Sequence, residues 1–198
     1  MRKNVLVFSL LVFCLMVVFT PVDLQIQAKV STLWNPVLTT VMIFITNIVS
    51  TLPLFILSMT LWCYLVYKKR YRNALLAFCS IVGGIVFGTI FKHLIQRARP
   101  GPGLVSASRY SFPSGHALIS MIFFSLLIYL FKDDIKNKVL QNCFIVVNVV
   151  LIILIGFSRM YLNVHWFSDV IGGFALGLGW VTLLMLLEQR IKLKPKKK

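Results

Sequence analysis

Residues 158–169 read SRMYLNVHWFSD and lie between two long apolar runs of the chain. The segment contains an arginine, a histidine and an aspartate: Arg159, His165 and Asp169. Ionisable groups next to a membrane interior are costly and usually mark a functional site. His165 and Asp169 are four residues apart, so in a helix they share one face and the carboxylate can orient the imidazole. The segment therefore predicts the position of a site within the fold.

The composition indicates a polytopic membrane protein. Of the 198 residues, 59% are hydrophobic and 13% are charged, which is about half the charged share of soluble domains. The apolar residues come in long blocks without amphipathic spacing, as in chains that cross a membrane repeatedly. No segment is large enough for a separate soluble domain. We expect one integral-membrane domain over residues 1–198, with a basic tail over 188–198.

The formal net charge of +16 first suggests a nucleic-acid partner. The distribution of the cations argues against that partner, because they lie in short loops between apolar runs and at the C-terminus. The basic run over 192–198 fits a topology anchor, and the alternative is a specific patch for anionic lipids.

The apolar blocks predict an all-α fold with six transmembrane helices, at roughly 5–20, 51–67, 73–95, 114–131, 139–157 and 169–187. The first block resembles a signal peptide, but Ile26-Gln27-Ala28 is a poor cleavage site, so we expect an uncleaved span. Residues 35–50 are apolar but contain several Thr and Asn. They predict an interfacial or re-entrant helix before the second span, since a separate crossing would move the basic loop 68–72 outside.

Six spans place both termini on one side of the membrane. That side then carries 15 of the 21 Lys and Arg residues, and the opposite side carries six. The larger set faces the cytoplasm by the positive-inside rule. The sequence therefore predicts a multi-pass cell-membrane protein with cytoplasmic termini and its polar segments on the extracytoplasmic face.

Two further polar segments lie on the same predicted face as residues 158–169. Lys92 and Arg99 are seven residues apart, so they point the same way if the third helix continues to Pro100. The alternative is that both snorkel to the membrane edge, and this alternative fits Arg97 better. Residues 113–116, Pro-Ser-Gly-His, open the fourth span.

The start of the fourth helix can bind an anion. There the backbone N–H groups of Ser114, Gly115 and His116 can point at a negative group, and the helix dipole favours it. Glycine lets that group approach the backbone closely. The alternative is an ordinary capped helix.

Together the three segments supply three cations, a helix start with a serine hydroxyl, two histidines and one carboxylate. Phosphoryl transfer requires such a set: cations for the phosphoryl oxygens, an in-line nucleophile and an acid for the leaving group. The other carboxylates lie elsewhere in the sequence: Asp23, Asp133, Asp134 and Glu188. We therefore expect no metal or other cofactor, with Lys92, Arg99 and Arg159 taking the electrostatic role of a metal.

The three segments resemble the three-part signature of the type 2 phosphatidic acid phosphatase family. The matching pattern is Lys92, six residues, Arg99-Pro100; then Pro113-Ser114-Gly115-His116; then Ser158-Arg159, five residues, His165, three residues and Asp169. The resemblance covers roughly residues 73–187 and includes the six-span layout of the membrane members. The short loop 101–112 is similar to that of compact bacterial members.

The resemblance implies a role for each matched residue. His165 would be the nucleophile that forms a phosphohistidine, and Asp169 would orient it. His116 would be the acid for the leaving group and then the base for the attacking water. The implied phosphate-binding set is Lys92, Arg99, Ser114, Gly115 and Arg159. Arg109 lies outside the signature, and we hypothesise that it assists a diphosphate or an acidic headgroup.

The predicted function is hydrolysis of a phosphomonoester or a terminal diphosphate of a lipid at the outer membrane face. The expected partners are membrane lipids and one lipid phosphate substrate: phosphatidylglycerol phosphate, undecaprenyl diphosphate or phosphatidic acid. The first two fit a compact bacterial member best by resemblance. Two alternatives remain. One is haloperoxidase or sugar-phosphate chemistry at the same site, as in some relatives of the family. The other is a lipid or anion transporter that binds its cargo with the same basic residues. Transporters place ionisable residues near the bilayer midplane, however, and here they cluster at span ends. The oligomeric state stays open.

Overall fold

The computed structural model describes residues 2–107 and 110–193. Within these ranges the chain forms α-helices and one short 3₁₀ turn at 132–134, without a β-strand. The helices are α1 (Arg2–Val18), α2 (Asp23–Ser31), α3 (Pro36–Asn47), α4 (Thr51–Tyr67), α5 (Tyr71–Ile95), α6 (Gly115–Phe131), α7 (Lys138–Tyr161) and α8 (Phe167–Leu193). The prediction of an all-α fold is confirmed.

The described helices include several that are long and apolar enough to cross a membrane. These are α5, α7, α8, and α6 together with the 3₁₀ turn, and the total reaches six if two bent pairs count as spans. The bent pairs are α1 with α2, at 83°, and α3 with α4, at 42°. Six spans, as predicted, correspond to that upper count. The helix expected over 35–50 is present as α3 and bends into α4.

The outer surface of the bundle is strongly apolar. Large side chains on α1, α4, α5 and α7 are more than half exposed, for example Phe8, Phe55, Phe78 and Val146. Apolar surface of this extent is unfavourable in water and is typical of helices that face lipid.

Helix α2 was not predicted from the sequence, which showed only a short polar stretch at residues 21–34. This helix has nine residues, and only Asp23 and Val30 of it are buried. A short helix with so few buried apolar residues leaves no periodic signal. The predicted tail begins inside α8, and residues 194–198 lie outside the described ranges.

Helix α8 packs against the backbone at the start of α6. A Cβ atom on Gly173 would lie 2.6 Å from the carbonyl oxygen of Ser114, and one on Gly177 would lie 2.6 Å from that of Leu118. Only glycine permits such an approach. The two glycines therefore let α8 pack closely against α6, which places the first turns of the two helices side by side.

Candidate active site

Lys92 and Arg99 converge, but not on one helix face as the sequence predicted. Helix α5 ends at Ile95, because Gln96 adopts a left-handed backbone conformation with φ of 51° and closes the helix. The helix thus ends where the predicted third span ends, and the condition under which Lys92 and Arg99 would share a helix face is not met. Instead, Lys92 Nζ and Arg99 Nη2 both donate to the carbonyl oxygen of Tyr110, at 3.0 and 3.2 Å.

The start of α6 carries the predicted serine, glycine and histidine. Ser114 is fully buried, and its Oγ has no hydrogen-bond partner among the described residues. Its backbone N–H donates to the carbonyl oxygen of Asp169 at 3.0 Å, so the prediction that this N–H is available to an anion is wrong. The N–H groups of Gly115 and His116 lie in the first helical turn, where intrahelical acceptors are lacking.

His165 lies in the turn before α8, and Asp169 lies in the first turn of that helix. The imidazole Nδ1 is 3.4 Å from Asp169 Oδ2, which is a long contact for a hydrogen bond. The same carboxylate oxygen accepts the backbone N–H of Trp166 at 2.9 Å. Asp169 therefore lies beside the imidazole, as predicted, and also accepts a hydrogen bond from the backbone at the start of helix α8.

The other ring nitrogen of His165, Nε2, faces the cations. It lies 3.3 Å from Arg99 Nη1. Burial lowers the pKa of His165 well below its usual value, and the charges of Lys92, Arg159 and Arg99 act in the same direction. The imidazole is therefore neutral at pH 7.

Arg159 and His116 complete the cluster. Arg159 is 6% exposed and lies in the last turn of α7, where its Nη1 donates to Thr46 Oγ1 of α3 at 2.8 Å. Its Nε has no hydrogen-bond partner within the described ranges. His116 is close enough to interact electrostatically with Arg159 and His165. The structure thus brings together all the predicted site residues: Lys92, Arg99, Ser114, Gly115, His116, Arg159, His165 and Asp169. We call Lys92, Arg99 and Arg159 the basic cluster.

Sequence reasoning missed Arg97, which was assigned to the membrane edge. Its Nη1 donates to Asp169 Oδ1 at 3.0 Å and to Ser168 Oγ at 2.7 Å, and its side chain is only 12% exposed. The assumption of a continuous helix to Pro100 concealed this contact, because the chain turns inward after Ile95.

Asp23 also lies behind the site, not elsewhere as its sequence position suggested. It is 4% exposed and accepts hydrogen bonds from the backbone N–H of Ser168, at 2.9 Å, and from Ser168 Oγ, at 2.6 Å. No local pattern identifies a contact across this sequence distance. Within the described ranges no group of three or more His, Cys, Asp or Glu residues is arranged to hold a metal ion. Arg109, for which an assisting role was hypothesised, lies outside the described residues.

A largely apolar cavity of about 660 Å³ opens beside the basic cluster. Lys92, Gly115 and His116 line it at the site, and it extends between α4, α5 and α6 to Trp62 and Phe78. We refer to it as the apolar cavity. Its lining combines one polar end with apolar walls, which suits a ligand with a charged head and hydrocarbon tails.

Comparison with known proteins identifies the family. The sequence profile of the PAP2 superfamily matches residues 73–192, more than half of the chain. The chain belongs to the PAP2 superfamily. Every predicted site residue lies in the matched range, whereas Asp23 lies before it.

Two curated PAP2 relatives carry names that describe phosphatases. Phosphatidylglycerophosphatase B of Bacillus subtilis is 33% identical over 135 residues, which are 64% of this chain and 63% of that protein. Undecaprenyl-diphosphatase of Sulfolobus acidocaldarius is 30% identical over 128 residues, which are 61% of this chain and 57% of that protein. The chain thus matches about three fifths of the length of these relatives.

Two solved structures share the fold. The transmembrane PAP2 type phosphatidylglycerolphosphate phosphatase from Bacillus subtilis superposes with a TM-score of 0.84 at 25% identity, covering 98% of both chains. LpxE of Aquifex aeolicus has a TM-score of 0.68 at 19% identity and covers 85% of this chain and 97% of its own. The first likeness extends beyond the profile match to the N-terminal helices, so the whole chain is a membrane protein of this fold.

Proposed function

We propose that this PAP2 protein is a lipid phosphatase that hydrolyses a phosphomonoester or a terminal diphosphate of a lipid at the extracytoplasmic membrane face. The observation that carries the proposal is the junction between the basic cluster and the apolar cavity. The names of the curated relatives, which describe action on phosphatidylglycerophosphate and undecaprenyl diphosphate, support the same class of substrate.

The basic cluster binds the phosphoryl group in this proposal. Its three cations and the first-turn N–H groups of α6 surround one region, and the unpartnered Oγ of Ser114 adds a further donor. The guanidinium group of arginine and the backbone N–H groups at a helix N-terminus both bind phosphate oxygens. Fixed positive charge there also stabilises the charge of the transition state.

His165 is the nucleophile. Its lowered pKa keeps the lone pair on Nε2 available at neutral pH, and Asp169 beside Nδ1 favours the tautomer with the proton on that atom. The bond between Nε2 and phosphorus forms as the bond between phosphorus and the leaving oxygen breaks. The negative charge of the bound phosphoryl group favours protonation of His116, which then donates that proton to the leaving oxygen.

Water resolves the phosphohistidine in the second step. His116, now neutral, accepts a proton from the water as its oxygen attacks phosphorus. The bond from phosphorus to Nε2 breaks, inorganic phosphate leaves, and both imidazoles return to their starting states. Because the basic cluster supplies the positive charge, the proposal requires no metal ion.

The apolar cavity holds the lipid tails. It begins at Lys92 and His116 and continues along α4, so a headgroup in the site leaves its tails against apolar walls. Burial of these chains contributes binding free energy of about 0.8 kcal/mol for each CH₂ group removed from water. A soluble sugar phosphate has no tail to fill this space.

The test is phosphate release by the purified protein in detergent with EDTA present. Phosphatidylglycerol phosphate, undecaprenyl diphosphate and phosphatidic acid are compared side by side, with His165→Ala as the control. We expect turnover that survives EDTA and is lost in the variant, and the relative rates then rank the substrates. Folded protein that releases no phosphate from any of them would contradict the proposal and favour a lipid or anion transporter.

A further inference from the structure

A second layer of polar contacts lies behind the pair formed by His165 and Asp169. It consists of Arg97 and Ser168, together with Asp23 from the segment before the range matched by the PAP2 profile. These residues come from three distant parts of the chain. All three are removed from bulk solvent, since Ser168 is fully buried, Asp23 is 4% exposed and the Arg97 side chain is 12% exposed.

Arg97 connects Asp169 to the end of helix α1. Its Nη1 donates to Asp169 Oδ1 at 3.0 Å, and its Nη2 donates to the carbonyl oxygens of Met16 and Val17, at 3.0 and 2.6 Å. The guanidinium carbon lies 4.5 Å from the centre of the Phe112 ring. Unpaired carbonyl groups at the end of a helix carry partial negative charge. Arg97 therefore supplies hydrogen bonds to two carbonyl groups of α1 and also binds the Asp169 carboxylate.

Asp23 connects the start of α2 to the start of α8. One carboxylate oxygen accepts the backbone N–H of Ser168, and the other accepts the Ser168 hydroxyl. The same Ser168 oxygen accepts from Arg97. Residues 16–23, the junction between α1 and α2, are therefore connected to the first turn of α8 both through Arg97 and through Asp23.

This arrangement fixes both oxygens of Asp169. Oδ2 faces Trp166 N–H and His165 Nδ1, while Oδ1 is held by Arg97. The carboxylate cannot rotate without breaking a buried ion pair, so this pair keeps Oδ2 directed toward His165 Nδ1, 3.4 Å away. Loss of Arg97 would also leave a buried carboxylate without its counter-charge.

We propose that Arg97 and Asp23 are positioning residues for the His165–Asp169 pair, and that the α1–α2 junction is part of the machinery of the site. The inference rests on the proposed phosphatase function. It gives the N-terminal segment a role in catalysis in addition to crossing the membrane.

The first test compares kinetic constants of Arg97→Gln, Arg97→Lys and Asp23→Asn. We expect kcat to fall about 10- to 100-fold in Arg97→Gln, the usual cost of losing a partner that orients an active-site group. Arg97→Lys retains the charge and should recover part of the loss. The inhibition constant of inorganic phosphate should stay within about twofold, because the basic cluster is intact. The combined Asp23→Asn/Arg97→Gln variant should lose less than the product of the single losses, since both residues act through Ser168 and Asp169.

Arg70 and Asp134 provide the matched control. They form another arginine–aspartate ion pair, at 2.8 Å, with both side chains more than a third exposed. Arg70→Gln and Asp134→Asn should leave kcat unchanged. Unchanged kcat in Arg97→Gln and Asp23→Asn would overturn the inference. So would a loss of phosphate binding as large as the loss of kcat, because that pattern indicates general disruption. If Arg97→Gln does not fold, Arg97→Lys and Asp23→Asn decide by the same criteria.

A second readout does not depend on turnover. In the His93→Gln/His116→Gln background, His165 is the one remaining histidine, and its ¹⁵N chemical shifts report the tautomer. We expect the Nδ1–H tautomer, and a mixture of tautomers after Arg97→Gln is added. An unchanged tautomer would overturn the inference. A wild-type protein without turnover but with this tautomer shift would contradict the proposed function and still support the positioning role.

Discussion

Burial and three neighbouring cations both lower the pKa of His165. The side chain is 3% exposed, and Lys92, Arg159 and Arg99 all disfavour a positive charge on its ring. A histidine nucleophile must be neutral to attack, so in the proposed mechanism the cations that would bind the substrate also keep His165 in its neutral form. In the proposed mechanism, the Asp169 carboxylate stabilises the positive charge that develops on the ring during phosphoryl transfer.

The first prediction concerns the pKa of His165. In the His93→Gln/His116→Gln variant, an NMR titration of the remaining histidine should give a pKa well below 6.5, the ordinary value. The neutral form then persists through mildly acidic pH, and protonation removes the nucleophile only at lower pH. The same titration in denaturant is the control and should return the ordinary value. A folded-state pKa at or above 6.5 would contradict this account of the site.

Particular residues show what the sequence could reveal about the site. Spacing and residue type identified eight candidate residues that the structure brings together, because these residues belong to local motifs; their roles stay predictions. Arg97 was misassigned, since its role depends on the end of α5 at Ile95. Asp23 was missed because its contact with Ser168 spans the length of the chain.

At the scale of the helices, α3 supports the basic cluster from the side. Thr46 of α3 is 4% exposed and accepts a hydrogen bond from Arg159, which holds that guanidinium at the site. The bend of 42° between α3 and α4 lets one end of this short helix reach α7.

The second prediction tests this support. Thr46→Val removes the hydroxyl while keeping the shape, and a hydrogen bond to a charged group contributes about 1.5–3 kcal/mol. The inhibition constant of inorganic phosphate should therefore rise by about tenfold or more. The control is Thr40→Val on the same helix, because Thr40 is exposed and its hydroxyl donates to the carbonyl of Pro36. Equal phosphate binding by Thr46→Val and wild type would argue against a role for α3.

The third prediction concerns the contact between α8 and α6. Gly173→Ala would place a Cβ 2.6 Å from the Ser114 carbonyl oxygen, which is backbone and cannot rotate away. The expected cost is about 1–3 kcal/mol of stability, together with reduced turnover, because the two first turns would separate. Thermal unfolding in detergent and phosphate release measure the two effects.

Gly179→Ala is the control on the same helix. Its Cβ would come no nearer than 3.4 Å to any atom, which is ordinary contact. We expect wild-type stability and turnover from it. If Gly173→Ala behaves like Gly179→Ala, the close approach of α8 to α6 is not required at the site.

The elements themselves were predicted well where they are long and apolar. Helices α4 to α8 begin and end within a few residues of the predicted spans, except that α7 and α8 extend further. Helix α2 was missed because it buries little apolar surface. Its existence depends on tertiary contacts of Asp23 and Val30, which no local pattern contains.

At the scale of the whole molecule, the apolar cavity joins the site to the lipid-facing surface between α4 and α5. The sequence placed charged segments at one end of the bundle, but it could not indicate an opening between particular helices. Helix packing creates that opening.

The fourth prediction tests the cavity as the tail site. Ser58 of α4 lines it, so Ser58→Trp should obstruct the tails and lower kcat/KM for long-chain phosphatidic acid by about tenfold. Turnover of a short-chain, water-soluble phosphomonoester should change little. Leu57→Trp is the control, because this neighbour is 38% exposed and does not line the cavity. Equal losses with both substrates would argue against a tail site here.

Capture of the covalent intermediate would show directly whether His165 is the nucleophile. The protein is mixed with ³²P-labelled substrate in EDTA, quenched within milliseconds in alkali and mapped by mass spectrometry. We expect an acid-labile phosphoryl group on His165, absent in His165→Ala and more abundant in His116→Gln when a substrate with a good leaving group is used. A protein that turns over the substrate at full rate in His165→Ala, or that carries its label on another residue, would contradict this role of His165.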